Sequence, residues 1–324
     1  ALWEQLEQAA AEFRDATPSR DQRAFGSVSY AENARALASS NGLFLYQPST
    51  LAHAQFRCFS SDGRSTGFAE AYTHDPTAMR PADILREAAE TCAAWRDPVA
   101  IEAKRLTTVF EPRALADMLQ PMLRQFSSRA IAGDQSFLRR LDGSSFLGTT
   151  LFDTRVTLYS DPWDARLPSM PFTSEGETIG EEYWVKKGVI SQIVIDRYEA
   201  NASGIDAVAP PTNLIMDVAQ PVQDLVAKTE YGLLVRGFAN LNILDPKNCL
   251  LSGSTRDGLF LIENGKVTKP VHNLVMRETP VYLFKELIAL GEPVRTSTTG
   301  GYFPMRLPPI AVKDVMYTQA SGLI

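Results

Sequence analysis

Asp161–Asp196 reads DPWDARLPSMPFTSEGETIGEEYWVKKGVISQIVID. Its first half is loop chemistry, with three prolines and several small polar residues. Its second half is strand chemistry. Tyr183, Trp184 and Val185 favour extended backbone, as do Val189, Ile190, Ile193, Val194 and Ile195. Gly188 lies between the two runs and can take the positive φ that a tight turn requires. The stretch is therefore expected to be a loop that feeds a buried hairpin.

Working outward, the flanks alternate between short β runs and amphipathic helices. Gly42–Tyr72 reads as a β-meander of Gly42–Tyr46, Leu51–Ser60 and Ser65–Tyr72, with turns at Gln47-Pro48-Ser49 and Ser61-Asp62-Gly63. Pro81–Arg96 is expected to be a helix, with Ile84, Leu85, Ala88, Ala89, Cys92 and Trp95 on its buried face. Leu106–Phe110 reads as a strand that leads into a helix opened by Glu111-Pro112. Pro121 should kink or divide that helix. Asp153–Ser160, Leu214–Val218, Leu233–Arg236, Asn242–Leu244 and Ile310–Val315 read as strands. Pro221–Tyr231 and Thr279–Leu290 read as helices. Asn264-Gly265, flanked by apolar runs within Leu259–Val271, is the type I′ turn dipeptide of a hairpin. Residues 1–14 are expected to form an amphipathic helix. Residues 20–40 carry no periodic signal that assigns them. A boundary near residue 105 divides the chain into an N-terminal part, 1–105, and a β-rich part, 106–324.

The totals narrow the function classes. The 324 residues are 44% hydrophobic and 22% charged, an ordinary globular balance. No apolar run is long enough to span a bilayer, and no secretory leader pattern opens the chain. The net charge is −6, and no Lys/Arg stripe is interleaved with aromatics. Nucleic acid is therefore not an expected partner. Cys58, Cys92 and Cys249 form no CxxC pair and give no disulfide framework, which favours a cytoplasmic setting. His53, His74 and His272 are scattered, and no two have the helical spacing of a metal site. Other chemistry has weak support. The Glu181-Glu182 pair reads as a solvated cluster at a hairpin, and Cys249 has no adjacent base to activate it.

The order of short motifs carries a family resemblance. It runs through Val109–Pro112, Ser136–Leu138, Asp161-Pro162, Pro171–Gly176, Lys187–Val189, Asp196–Ala200 (taken as a strand end), Pro211–Leu214, Tyr231–Leu233 and Ile262–Val271. In that order the chain resembles the TldD/PmbA family, labelled modulators of DNA gyrase, whose members act as peptidases. The resemblance implies an intertwined α+β architecture, with a smaller N-terminal α/β part and a larger β-rich C-terminal part. It also implies a pair of related chains. The TldD-type chain carries His-Glu-x-x-x-His on the helix after the Pro, together with a distant cysteine. The two histidines of that motif lie little more than one helical turn apart and can hold one Zn²⁺, and the carboxylate can activate its water. Here Gln120 and Pro121 stand at His-Glu and Arg124 beside the position of the second His, with Thr298–Gly301 near the expected cysteine.

The chain thus resembles the metal-free PmbA/TldE subunit. No catalytic residue, metal ligand or cofactor is expected in it, with zinc in the partner. Its expected role is to support a TldD-type partner in a heterodimeric metallopeptidase and to help form a peptide groove. Phe172, Ser174, Glu175, Gly176 and Asn213 are the groove candidates. The alternative is an independent homodimer that binds a peptide or small ligand without catalysis. The N-terminal part is shorter than is usual in the family, and the Gly-rich segment is reduced to Gly204–Pro210; both point to a specialised or minimal member.

Overall fold

A computed structural model describes residues 21–298 and 301–322, together with Trp3, Glu4, Glu7, Gln8 and Ala11. Most of the helix expected over residues 1–14 lies outside the described residues, as do Thr299 and Gly300.

The N-terminal layer is a three-stranded antiparallel sheet of β1 (Gln22–Ala38), β2 (Phe44–Ser60) and β3 (Thr66–Thr73), backed by helix α1 (Pro81–Ala94). Along β2, Ala52, Ala54, Phe56 and Cys58 are buried while the alternate residues stay partly exposed. These residues pack with Ile84, Leu85, Ala88 and Cys92 of α1 as a core of their own. Helix and sheet approach closely at Gly67, where a Cβ would lie 2.1 Å from the Ala88 carbonyl oxygen.

Gln22–Ala38, in the stretch without an assignable signal, forms a 17-residue strand, and Gln47-Pro48-Ser49 is not the expected turn but the middle of β2. Both findings have one cause. β3 pairs with β2 only between Ala52 and Phe59, so the distal half of β1–β2 is a two-stranded ribbon in which no residue is fully buried. Such a strand shows no hydrophobic alternation. A proline is also tolerated there, because one edge of β2 needs no donor.

The chain continues as β4 (Arg105–Phe110), α2 (Pro112–Leu123), α3 (Ser128–Ala132), β5 (Leu158–Ser160), β6 (Glu182–Lys186), β7 (Val189–Ile190), α4 (Arg197–Ser203) and β8 (Leu214–Ile215). After these come β9 (Tyr231–Asp245), β10 (Leu250–Glu263), β11 (Lys266–Pro270), β12 (Leu274–Glu278) and α5 (Pro280–Lys285). The last strands are β13 (Leu287–Leu290), β14 (Val294–Thr298), β15 (Gly301–Leu307) and β16 (Ile310–Ala320). The order β10-β12-β16-β4-β9 closes on itself because β9 pairs again with β10. Closure removes the open edges that a sheet of these strands would expose. A second sheet runs β14-β15-β8-β5-β6-β7. The architecture is mixed α+β, as expected.

Helix α2 lies between the closed sheet and the second sheet. Met118, Leu119 and Met122 are fully buried there, within the main core that also holds Phe110, Trp184 and Phe284. Each such side chain contributes roughly 1.5–3 kcal/mol by leaving water. Pro121 neither kinks nor divides α2 at its middle. It sits in the last turn, and the chain leaves through tighter Gln125 N–H···Met122 O and Phe126 N–H···Leu123 O bonds of 3.0 Å each.

The hairpin within the opening stretch is present as β6–β7, turning at Lys187 and Gly188 with φ of 49° and 79°. The Asn264-Gly265 turn is likewise present, with φ of 54° and 72°. Elsewhere the local pattern misleads. Asp196 does not end a strand; its side chain accepts from Glu199 N–H at 2.9 Å and caps α4. Pro221–Tyr231 is not a helix. Its turns seat Leu225 against Val109, Ile262, Ala289 and Ala311, and Tyr231 and Gly232 begin β9. The helix capped by Thr279 stops at Lys285, because Leu287–Leu290 pairs with β16. Only the end of Asp153–Ser160 is strand, and only Leu214–Ile215 of the next expected run. Val294–Thr298 and Gly301–Leu307, in a stretch to which the sequence assigns no strand, supply β14 and β15.

Candidate functional site

Two adjoining cavities share Pro211 and Phe303 and together form a groove. The larger, of about 640 Å³, lies between the β1–β2 ribbon (Asn33 and Gln47–Leu51), the Pro168–Met170 loop and Tyr302–Pro304 of β15. The smaller, of about 360 Å³, runs to the end of α2, where Gln120, Leu123, Arg124, Phe126 and Ser127 line it with Val194 and Pro210.

Each wall is held by identifiable bonds. Thr212 Oγ1 donates to Met170 O at 2.9 Å and lies 2.9 Å from Ser169 Oγ, so the two wall loops are tied together. Pro210 and Pro211 fix φ at the junction of the cavities. His74 Nδ1 lies 2.6 Å from Thr50 O, and Thr50 Oγ1 donates to His74 O at 2.6 Å. A carbonyl can only accept, so Nδ1 carries the proton. In the neutral ring, Nε2 then accepts from the Tyr302 hydroxyl at 3.4 Å. Behind this contact, His53 stacks on Tyr72 with centroids 4.1 Å apart, and Tyr72 meets Tyr302 at 4.8 Å. His53 thus sits on a strand face, as the sequence suggests. Burial pushes the Tyr72 hydroxyl well above its ordinary range. The ribbon is therefore pinned to β15 through an aromatic stack beside the groove.

The groove candidates are dispersed. Phe172 is buried, with the Arg35 guanidinium 5.9 Å from its ring centroid. Ser174 and Glu175 are exposed on a turn whose Glu175 and Glu177 amides donate to Thr173 Oγ1. Arg197 donates to Glu175 O at 3.1 Å. Gly176 faces the ribbon tip, where an added Cβ would lie 2.7 Å from Leu43 and 3.1 Å from Leu37. The Pro171–Gly176 loop thus seats the ribbon tip and lines neither cavity. Asn213 is fully buried behind the wall. It accepts from Asp161 N–H at 3.0 Å and donates to Asp161 O and Leu167 O at 2.7 Å each. Of the residues that line the groove, Pro211 and Thr212 belong to the Pro211–Leu214 motif, while Met170, Tyr302 and Phe303 carry no sequence signal beyond turn and coil composition.

The α2 face can be tested as a metal site from its donors. Arg124 has no lone pair to give a metal, Pro121 has no side-chain donor, and the Gln120 amide is a poor ligand for zinc. This donor set does not fit Zn²⁺. Among the described residues no group of three or more His, Cys, Asp or Glu could hold a metal ion. Cys249 is buried, and burial pushes its thiol up to about 12.

Charge pairs lock the N-terminal layer to the closed sheet. Asp257 is buried and binds Arg57 through both oxygens, with Arg113 at 3.4 Å. Arg236 of β9 binds Glu87 and Thr91 of α1 as well as Glu111 before α2. Trp95 Nε1 donates to Val271 O at 3.0 Å. None of the described helices is long and apolar enough to cross a membrane.

Comparison with known proteins gives a consistent result. Residues 103–319 match the model of the PmbA/TldA metallopeptidase C-terminal domain. No curated protein matches the sequence. The fold is similar to that of a protein from Bacteroides thetaiotaomicron named as a modulator of DNA gyrase. The TM-score is 0.82 and the identity 22%, over 98% of this chain and 72% of that one. A protein of the same description from Thermotoga maritima has a TM-score of 0.82 at 16% identity, over 98% and 74%. TldE from Thermococcus kodakarensis has a TM-score of 0.81 at 17% identity, over 97% and 73%.

Proposed function

The chain belongs to the PmbA/TldD metallopeptidase family, and from that premise we propose that it is the metal-free subunit of a two-chain peptidase. In this reading it binds peptide in the groove and supports a TldD-type partner, which supplies the zinc and the water-activating carboxylate. The observation that carries it is the composition of the α2 face. A helix end that opens onto a groove lines it with Gln120 and Arg124, with Pro121 between them in the chain, in the region where the family resemblance puts His, Glu and His. Residues 1–105 then form a unit that roofs the groove, and residues 106–324 form its floor. Cytoplasmic residence goes with the same proposal, on the three unpaired cysteines.

Reconstitution tests this. The chain and a TldD-type protein are purified separately, then mixed and assayed for size and peptide cleavage. Cleavage is expected only in the mixture, and mutation of the partner's motif glutamate should abolish it. Glu175→Ala here should weaken cleavage through assembly, because its turn seats the ribbon. Elemental analysis of this chain alone should find far less than one zinc per chain after desalting. Full activity of either chain alone would reject the two-chain reading.

A further inference from the structure

We propose that the α2 end of the groove is a receptor for the free C-terminal carboxylate of a peptide whose last residue is apolar, with Arg124 as its anchor. This rests on the peptide-groove part of the function above and not on the two-chain part.

The cavity of about 360 Å³ is lined mainly by Leu123, Phe126, Val194, Pro210, Pro211 and Phe303. Into this apolar wall come three polar side chains, Gln120, Arg124 and Ser127. Gln120 and Arg124 are four apart and follow one face of α2 through its last turn; Ser127 comes three residues later. None of the three side chains makes a hydrogen bond or ion pair with another described residue. Apolar walls with a few convergent polar groups are the usual composition of a ligand site.

The charge selects the ligand. Asp206, four residues before Pro210, makes no ion pair with Arg124, and the other acidic groups of the adjoining segments already have partners. Asp196 pairs with Arg129, Glu199 accepts from Ser128 Oγ, and Asp134 pairs with Arg139 and Lys247. The Arg124 guanidinium is therefore left without a counter-ion from these neighbours. Its planar fork matches a carboxylate through two parallel N–H···O bonds. The Gln120 amide and Ser127 hydroxyl can donate to the same anion or to the last peptide carbonyl. One guanidinium in an apolar surround suits a monoanion with an apolar body better than it suits a phosphate dianion. A peptide amino terminus would be repelled, and a mid-chain segment would leave the cation unmatched. The larger cavity, adjoining at Pro211 and Phe303, can take the preceding residues.

The test uses the whole chain and two probes in calorimetric titration: acetyl-Gly-Ala-Ala-Leu with a free carboxylate, and the same peptide as its C-terminal amide. The acid is expected to bind at least about tenfold more tightly than the amide. Arg124→Gln should remove that difference while leaving the affinity for the amide unchanged. Arg124→Lys should retain part of it, since the charge stays and the fork is lost. Arg124 is exposed, so thermal melts of both variants should match the parent. Equal affinity for acid and amide, discrimination that survives Arg124→Gln, or no binding of either probe would each overturn the proposal. If discrimination holds while reconstituted mixtures fail to cleave, the two-chain reading falls and this one stands.

Discussion

Asn213 offers a sharp test of how the groove wall is built. Its amide satisfies three backbone groups at once: the Asp161 N–H, the Asp161 carbonyl and the Leu167 carbonyl. Asn213→Ala strands the Asp161 N–H and the Leu167 carbonyl and leaves the Asp161 carbonyl only the Asp164 N–H at 3.2 Å. Water can reach Asp161, which is half-buried, so its two lost bonds together cost about 1 kcal/mol. Leu167 is buried, so its unpaired carbonyl costs about 2 kcal/mol more. The expected loss is about 3 kcal/mol, read from urea unfolding monitored by circular dichroism. Faster proteolysis within Asp161–Met170 should accompany it, because that loop carries the Pro168–Met170 wall. Asn213→Asp sharpens the test by keeping the shape. The carboxylate can still accept from Asp161 N–H, but its other oxygen faces two carbonyls, so the loss at neutral pH should be at least as large. Burial and those carbonyls favour the protonated acid, raising its folded pKa above the unfolded value of about 3.9. The deficit should therefore shrink as the pH falls through that raised value. If both variants unfold within about 0.5 kcal/mol of the parent, the clamp is not what holds the wall.

Three further outcomes are expected. Gly265→Val should destabilise the fold by about 1–2 kcal/mol in thermal or urea melts, because Gly265 has φ of 72° and a Cβ there would lie 3.0 Å from Ala227 O. All three thiols should resist a disulfide reagent at pH 8 in the native state and react together only on unfolding, since burial pushes Cys58 and Cys249 up to about 12 and raises Cys92; a fast native fraction would count against the burial of the sheet–helix core. Asp153 is held below the usual carboxylate range by its bonds to Arg155. That contribution to stability is present above about 3.9 and is lost as pH falls through the lower folded value. Asp153→Asn should therefore flatten the acid limb of the stability–pH curve.

How far the fold is legible in the sequence depends on how local the deciding contact is. The Asn264-Gly265 and Lys187-Gly188 hairpins can be read directly, because two residues fix the backbone and the flanking runs agree. The Thr279 cap can be read too, but not the length of its helix. Leu287–Leu290 is compatible with either period, and pairing with β16, more than twenty residues away, decides between them. The β1–β2 ribbon is hidden for the opposite reason. With no residue fully buried it has no buried stripe to write into the sequence, and Pro48 then looks like a turn. The Asp196 cap is a local signal with a physical basis, Asp-x-x-Glu ahead of an alanine-rich run, and it outweighs the strand-like residues before it.

For the site, a motif and the surface it serves can lie apart. The order of short motifs is enough for the family, because order over a long span is hard to produce by chance. It is not enough for the lining of the groove. Pro171–Gly176 is among the most distinctive of those motifs, and it seats the tip of a ribbon that lines only the larger cavity. Asn213 likewise acts from behind a wall through backbone groups. The side chains that reach the groove space come from segments distant in sequence: the ribbon, the end of α2, Pro210–Thr212 and β15. One local cue does survive. Gln120 and Arg124 share one helix face at i, i+4 spacing and carry no metal-binding chemistry. A guanidinium and an amide side by side at the end of an apolar groove are what make an anionic peptide end the ligand proposed for it.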